Sequence, residues 1–140
     1  MRLEDGMPPG TRLSVFIIDD NEMTRSLLRV IIHGDKFEVV GDAGSAESAM
    51  LRLRSQRADI ICLDVVMPDG DGLTLLEWIG QKQPQAAVLM VTASTDRSTV
   101  EQSLRNGAKG YIVKPFTPGA VMDTLDNIAA KLRPKRPGPA

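Results

Sequence analysis

The sequence predicts an open α/β domain, a parallel sheet covered by helices on both faces. Three observations carry this expectation. Short apolar runs recur, at Val15-Phe16-Ile17-Ile18, Ile60-Ile61-Cys62-Leu63, Val88-Leu89-Met90-Val91 and Tyr111-Ile112-Val113, as in strands buried on both faces. Segments with helical spacing separate these runs, so strands and helices alternate. Each run also ends on a polar residue: Asp19 with Asp20, then Asp64, Thr92 and Lys114. In open α/β sheets ligands bind beyond the carboxyl ends of the strands, near the point where strand order reverses. These residues lie at such ends.

Met1 to Arg12 contains Gly6, Pro8, Pro9 and Gly10 without periodicity and reads as a flexible arm (1–12). The folded domain is expected over 13–132. Its first strand runs from Leu13 to Ile18. A helix follows from Glu22 to His33, with Met23, Leu27, Val30 and Ile31 as its apolar spacing and Gly34 as its C-terminal cap. Phe37 to Val40 is the second strand. Ser45 caps a second helix that turns Ala46, Ala49, Met50 and Leu53 inward.

The third strand leads to Asp64, and Met67-Pro68-Asp69-Gly70-Asp71-Gly72 reads as a loop. Helix three spans Leu73 to about Gln81, and strand four Ala87 to Val91. Arg97 to Asn106 is a fourth, more polar helix stopped by Gly107. Gly110 to Val113 is strand five. Thr117 caps the last helix, with Pro118 at its first position, where a missing N–H costs nothing. The segment 133–140 is Pro-rich and basic and reads as a tail.

The length of 140 residues fits one domain with a core of its own. An apolar share of 42% and a charged share of 25% are those of an ordinary globular protein. A net charge of -1 argues against direct nucleic-acid binding, which needs a basic surface. The single cysteine, Cys62, excludes an intramolecular disulfide and sits mid-strand as a core residue. No signal-like start and no apolar stretch of ~18 residues is present, so neither secretion nor membrane insertion is expected and a cytoplasmic location is.

The strand-end residues suggest a chemistry. Asp19, Asp20 and Asp64 would bring three carboxylates together, and like charges at close range need neutralising. A hard divalent cation does this, and Mg²⁺ suits carboxylate, carbonyl and water ligands. Lys114 adds a fixed positive charge. A cation, an ammonium and a hydroxyl donor suit a phosphoryl group, and a carboxylate between them can itself be the nucleophile. Taken singly, each residue is ordinary. The weight lies in their arrival at four strand ends in one order.

With these residues in place, the chain resembles the receiver domains of bacterial two-component response regulators, of the CheY-like type. The matching stretches are Val15 to Asn21, Leu63 to Gly72, Val91-Thr92-Ala93 and Asn106 to Phe116. The resemblance implies a flavodoxin-like doubly wound fold, a five-stranded parallel sheet of order 2-1-3-4-5 with five helices. It implies that Asp64 accepts a phosphoryl group from a sensor histidine kinase, a phosphotransfer protein or a small donor. Asp20 and Asp64 would ligate Mg²⁺ directly, joined by the backbone carbonyl of Val66, with Asp19 acting largely through water; Mn²⁺ would substitute. Lys114 would pair with a phosphoryl oxygen and Thr92 would turn its hydroxyl onto another. Tyr111 would move inward, and the Lys114-Pro115 bond would be cis.

Such a protein is a switch, not a turnover enzyme, limited to self-phosphorylation from a donor and slow autodephosphorylation. The added charge would bias the face formed by helix four, strand five and helix five, and so the binding of a downstream target. Homodimerisation through that face, with Arg97, Arg105 and Lys109 contributing charge, stays open. Two neighbours of the acceptor, Val66 and Ser94, offer little to orient a water, so a long-lived phosphoryl group is expected. His33, near a helix end, reads as a cap or surface residue, and Trp78 as core packing.

Competing classes fit less well. A haloacid-dehalogenase-like phosphatase needs a second Asp two residues after its nucleophile, where Val66 stands. A flavodoxin needs a hydroxyl-rich phosphate loop where Asp19 and Asp20 stand. A DNA-binding regulator needs a further domain, and eight residues follow Leu132. Three readings remain: a single-domain switch, a phosphorelay shuttle, or the receiver of a larger regulator.

Overall fold

The computed structural model describes residues 12–132. The expected arm and tail lie outside them, apart from Arg12. The elements are β1 (Leu13–Ile18), α1 (Glu22–Ile32), β2 (Phe37–Ala43), α2 (Ala46–Leu53), β3 (Ile60–Leu63), β4 (Val66–Met67), β5 (Gly70–Asp71), α3 (Gly72–Lys82), β6 (Ala87–Thr92), α4 (Arg97–Arg105), β7 (Gly110–Val113) and α5 (Pro118–Leu132).

Five parallel strands form the main sheet in the order β2-β1-β3-β6-β7. This is the flavodoxin-like order 2-1-3-4-5 once the short β4–β5 hairpin is set aside. Chain order reverses between β1 and β3, so the crevice between their carboxyl ends is the switch point. All residues of β3 and β6 are buried, which explains their unbroken apolar runs.

One face of the sheet packs Phe16, Ile18, Ile61 and Leu63 against Ala49 and Leu53 of α2 and Leu76 and Ile79 of α3. The other packs Val15, Ile17, Cys62 and Leu89 against Leu28 and Ile32 of α1 and Val121, Leu125 and Ile128 of α5. Cys62 is core, and burial pushes its thiol up to about 12. Trp78 is half-buried against the first cluster. The caps read from sequence at Ser45 and Thr117 are made, with the side chains accepting from Ser48 and Ala120. Gly107, at φ 106, ends α4 in the left-handed region that favours glycine.

Four expectations change. Three of the four apolar residues expected on the core face of α1 are not there: Met23 and Val30 are 81% and 78% exposed and Leu27 is 50% exposed, whereas Ile31 packs partly buried on the core beside buried Leu28 and Ile32. The helix is set by polar ties. Asn21 caps it, and Arg25 donates to the Asp19 carbonyl, which turns the side bearing residues 25, 28 and 32 toward the sheet. Gly34 is not a left-handed cap, because His33 ends α1 in extended conformation and its Nδ1 accepts the Val39 N–H. Strand β2 runs on to Ala43, past Gly41, where a Cβ would come within 2.9 Å of the Phe16 ring. The loop after β3 contains the β4–β5 hairpin, too short to carry a periodic signal.

Candidate functional site

The site is built where each apolar run stops. Asp19, one residue past β1, is 1% exposed. Its Oδ1 accepts the Asn21 N–H at 2.8 Å and its Oδ2 accepts from Lys114 Nζ at 2.6 Å. Asp20 is exposed and makes no hydrogen bond among the described residues. Asp64, one residue past β3, is 5% exposed. Its N–H donates to Ile18 at 3.1 Å, which anchors it beside β1. Its Oδ1 accepts the Val66 N–H at 3.1 Å and its Oδ2 accepts from Lys114 Nζ at 2.9 Å.

Lys114 reaches in from the end of β7, where its own N–H donates to Thr92 at 2.9 Å. Burial alone pulls its pKa down, but the hydrogen bonds and charges of Asp19 and Asp64 outweigh this and hold it above the ordinary lysine value. The Lys114–Pro115 peptide is cis. Oxygens of Asp19, Asp20 and Asp64, one from each, lie within 4.8 Å of one another. Asp20 is left open beside the bridged pair, so hard oxygen donors converge with spare coordinating capacity. The set fits a divalent cation such as Mg²⁺.

Thr92 is fully buried at the end of β6, and its hydroxyl accepts the Ser94 N–H at 3.3 Å. Tyr111 is half-buried on β7, and its hydroxyl donates to the Ser94 carbonyl at 2.9 Å. Burial, reinforced by the charges of Asp64 and Asp96, raises its pKa. Val66 opens the β4–β5 hairpin and is 64% exposed. The structure thus joins Asp19, Asp64 and Lys114 directly, sets Asp20 beside them, and links Thr92 and Tyr111 to each other through Ser94.

Three residues that shape the site were not singled out from sequence. Arg25 donates through Nη1 to the Asp19 carbonyl at 2.6 Å, and its Nε lies 3.3 Å from Asp42 without aligning a hydrogen bond. The available signal was an arginine one turn past Asn21. Gly72 starts α3, where a Cβ would sit 2.5 Å from the Val65 backbone. Asp69 accepts the Ala46 and Glu47 N–H groups across the crevice, which no sequence spacing announces. A separate cavity at the opposite rim is lined by Pro84, Ala86, Ile128, Lys109 and Lys131. Its side chains include no carboxylate or hydroxyl group, unlike the acidic crevice.

Comparison with known proteins places the fold in a known family. The family described as the response regulator receiver domain matches residues 15–126. A chemotaxis protein CheY of Listeria monocytogenes is 35% identical over 117 residues, which are 84% of this chain and 98% of that protein. The DNA-binding transcriptional activator DevR/DosR of Mycobacterium tuberculosis is 34% identical over 84% of this chain but only 59% of its own length. Among solved structures, the CheX–CheY–BeF3–Mg²⁺ complex of Borrelia burgdorferi aligns with a TM-score of 0.80 at 29% identity, covering 92% of this chain and 95% of that one.

Proposed function

The chain belongs to the response regulator receiver domain family, and from that premise we propose that it is a single-domain phosphorylation switch of two-component signalling in the cytoplasm. Asp64 is the phosphoacceptor. A carboxylate oxygen attacks the phosphorus of a phosphohistidine on a sensor kinase or phosphotransfer protein; an O–P bond forms, the P–N bond breaks, and the imidazole leaves with the electron pair. Asp20, Asp64 and the Val66 carbonyl, with Asp19 behind them, would hold Mg²⁺, which when bound would supply positive charge to the phosphoryl oxygens.

Lys114 follows the charge from the carboxylates to a phosphoryl oxygen. Thr92, whose hydroxyl accepts the Ser94 N–H at rest, turns to donate its O–H to another phosphoryl oxygen, and Tyr111 turns inward. The α4–β7–α5 face then favours its target protein, and target binding reciprocally favours the phosphorylated state.

The observation that carries this reading is one ammonium bridging two buried carboxylates at 2.6 and 2.9 Å, with a third, solvated carboxylate beside them. The test is incubation with Mg²⁺ and a small acyl-phosphate donor, read by intact mass. One phosphoryl group should add to the wild type and none to Asp64→Asn. Undiminished labelling of that variant overturns the assignment. A second reading, the receiver of a larger regulator, is favoured by relatives such as DevR/DosR that extend well beyond the matched region. Phosphotransfer profiling against candidate kinases and phosphotransfer proteins separates a terminal switch from a phosphorelay shuttle.

A further inference from the structure

The loop after β3 is fastened at its base to itself and to α3. The Val66 N–H bonds to Asp64, the Gly72 N–H bonds to Val65 at 2.9 Å, and Asp71 caps α3 through the Leu73 N–H at 3.0 Å. At its far end a different fastening reaches out of the loop. Asp69 straddles the first turn of α2, with Oδ1 accepting the Ala46 N–H at 2.9 Å and Oδ2 the Glu47 N–H at 3.1 Å.

Those donors lie in the first turn of a helix, where N–H groups lack partners within it. Ser45, the local cap, takes only the Ser48 N–H. The helix therefore receives its second cap from a residue 23 positions away in sequence. The contact is close in packing as well, since a Cβ on Gly70 would lie 3.1 Å from the Ala46 Cβ. Both hydrogen bonds favour the ionised carboxylate and hold Asp69 below the ordinary value.

We propose that Asp69 is a positioning residue for the cation site: by clamping the β4–β5 hairpin onto the amino end of α2, it presets the Asp64–Val66 segment in the geometry that binds the divalent ion. This rests on the reading of the crevice as a cation-dependent phosphoacceptor. Asp69 touches neither the ion nor the phosphoryl group. Its contribution is to stop the hairpin swinging away on its base, and outer-shell groups of this kind commonly set metal affinity.

The test measures Mg²⁺ binding by calorimetry, and the labelling rate as a function of Mg²⁺ concentration, on the full chain. Asp69→Ala should raise the Mg²⁺ dissociation constant about tenfold while the labelling rate at saturating Mg²⁺ stays within about twofold of wild type. Asp69→Asn keeps one acceptor oxygen and should recover part of the loss. Ala46→Pro attacks the clamp from the other side, removing one donor at a helix position that tolerates proline; Ser45 before it is already extended (φ -152, ψ 161). It should weaken Mg²⁺ binding in the same direction, and the double variant should be no worse than Asp69→Ala. A melting temperature that falls in Asp69→Ala while Mg²⁺ affinity holds within twofold of wild type reduces Asp69 to a helix cap and overturns the proposal. Absence of Mg²⁺ binding by the wild type overturns the parent reading as well, which keeps the two failures distinct.

Discussion

Two loops flank the crevice, and they are held in opposite ways. The loop after β3 is tied by Asp64 to Val66, by Gly72 to Val65, by Asp71 to α3 and by Asp69 to α2. The loop after β6 runs from Ala93 to Asp96; Asp96 caps α4 through Thr99 at its far end, and beside the crevice it is held by Ser94, through a long bond to Thr92 and a bond from Tyr111. Helix α4 beyond it buries only Ser103 fully. The first loop is preorganised, as a binding site must be. The second is held by partners that can be exchanged, as the proposed responding element must be.

The contrast is broken most severely at Gly72. Gly72→Ala places a methyl group 2.5 Å from the Val65 backbone, where no flexible side chain can yield. It should cost about 3 kcal/mol of stability, the upper part of the range for overpacking, and loosen the site. Denaturant unfolding without metal measures the cost; a loss under about 0.5 kcal/mol, the range of neutral surface changes, would show that the first loop is not rigid.

Lys114 connects the two sides. Lys114→Met removes charge-assisted hydrogen bonds to two buried carboxylates and should cost about 2 kcal/mol in metal-free protein near pH 7. Because its pKa is raised in the folded state, the lysine's contribution is fully present below the ordinary value of 10.5 and lost as pH climbs through the folded value. The stability curves of wild type and variant should therefore run apart at neutral pH and converge only in strongly alkaline solution. Convergence already at pH 8 would deny Lys114 that role.

Val66 sharpens the kinetic side of the same contrast. It is apolar, 64% exposed and two residues past Asp64, the proposed acceptor, so it offers no group to orient a hydrolytic water. Val66→Asn should shorten the phosphoryl lifetime by roughly tenfold, about 1.4 kcal/mol of barrier, followed by loss of the mass shift after donor removal. A lifetime equal to or longer than wild type would exclude that account.

The smallest effect is expected in the responding loop. Tyr111→Phe deletes one bond to the Ser94 carbonyl and should cost about 1 kcal/mol or less. Stability and the labelling rate should barely change, while amide exchange around Ser94 should quicken without phosphorylation. Exchange that stays slow would place the restraint elsewhere.

Much of this was legible in sequence because it depends on local pattern. The apolar runs locate the buried strands, and the residues that end them (Asp19, Asp64, Thr92, Lys114) mark the crevice before any contact is known. Ser45 and Thr117 announce their caps, since a cap lies within three residues of the N–H it serves. Helix α1 misled because it carries two apolar spacings. Residues 23, 27, 30 and 31 and residues 28 and 32 both satisfy helical periodicity; the face that packs on the core carries Leu28, Ile32 and Ile31, with Asn21 and Arg25 tying the start of the helix.

By itself, then, the sequence determined the alternation of strands and helices, the double-sided burial of the sheet and the identity of the strand-end residues. All of these follow from periodicity and from the cost of burying unpartnered polar groups. Tertiary structure alone decided that Lys114, 95 residues from Asp19 and 50 from Asp64, closes both onto one ammonium. It also decided that Asp69 caps a helix from across the crevice, and that α1 turns Met23 and Val30 to solvent. These contacts join segments far apart in the chain. No local rule selects them, because many distant pairs have matching chemistry and only the packing of the sheet selects which of them meet.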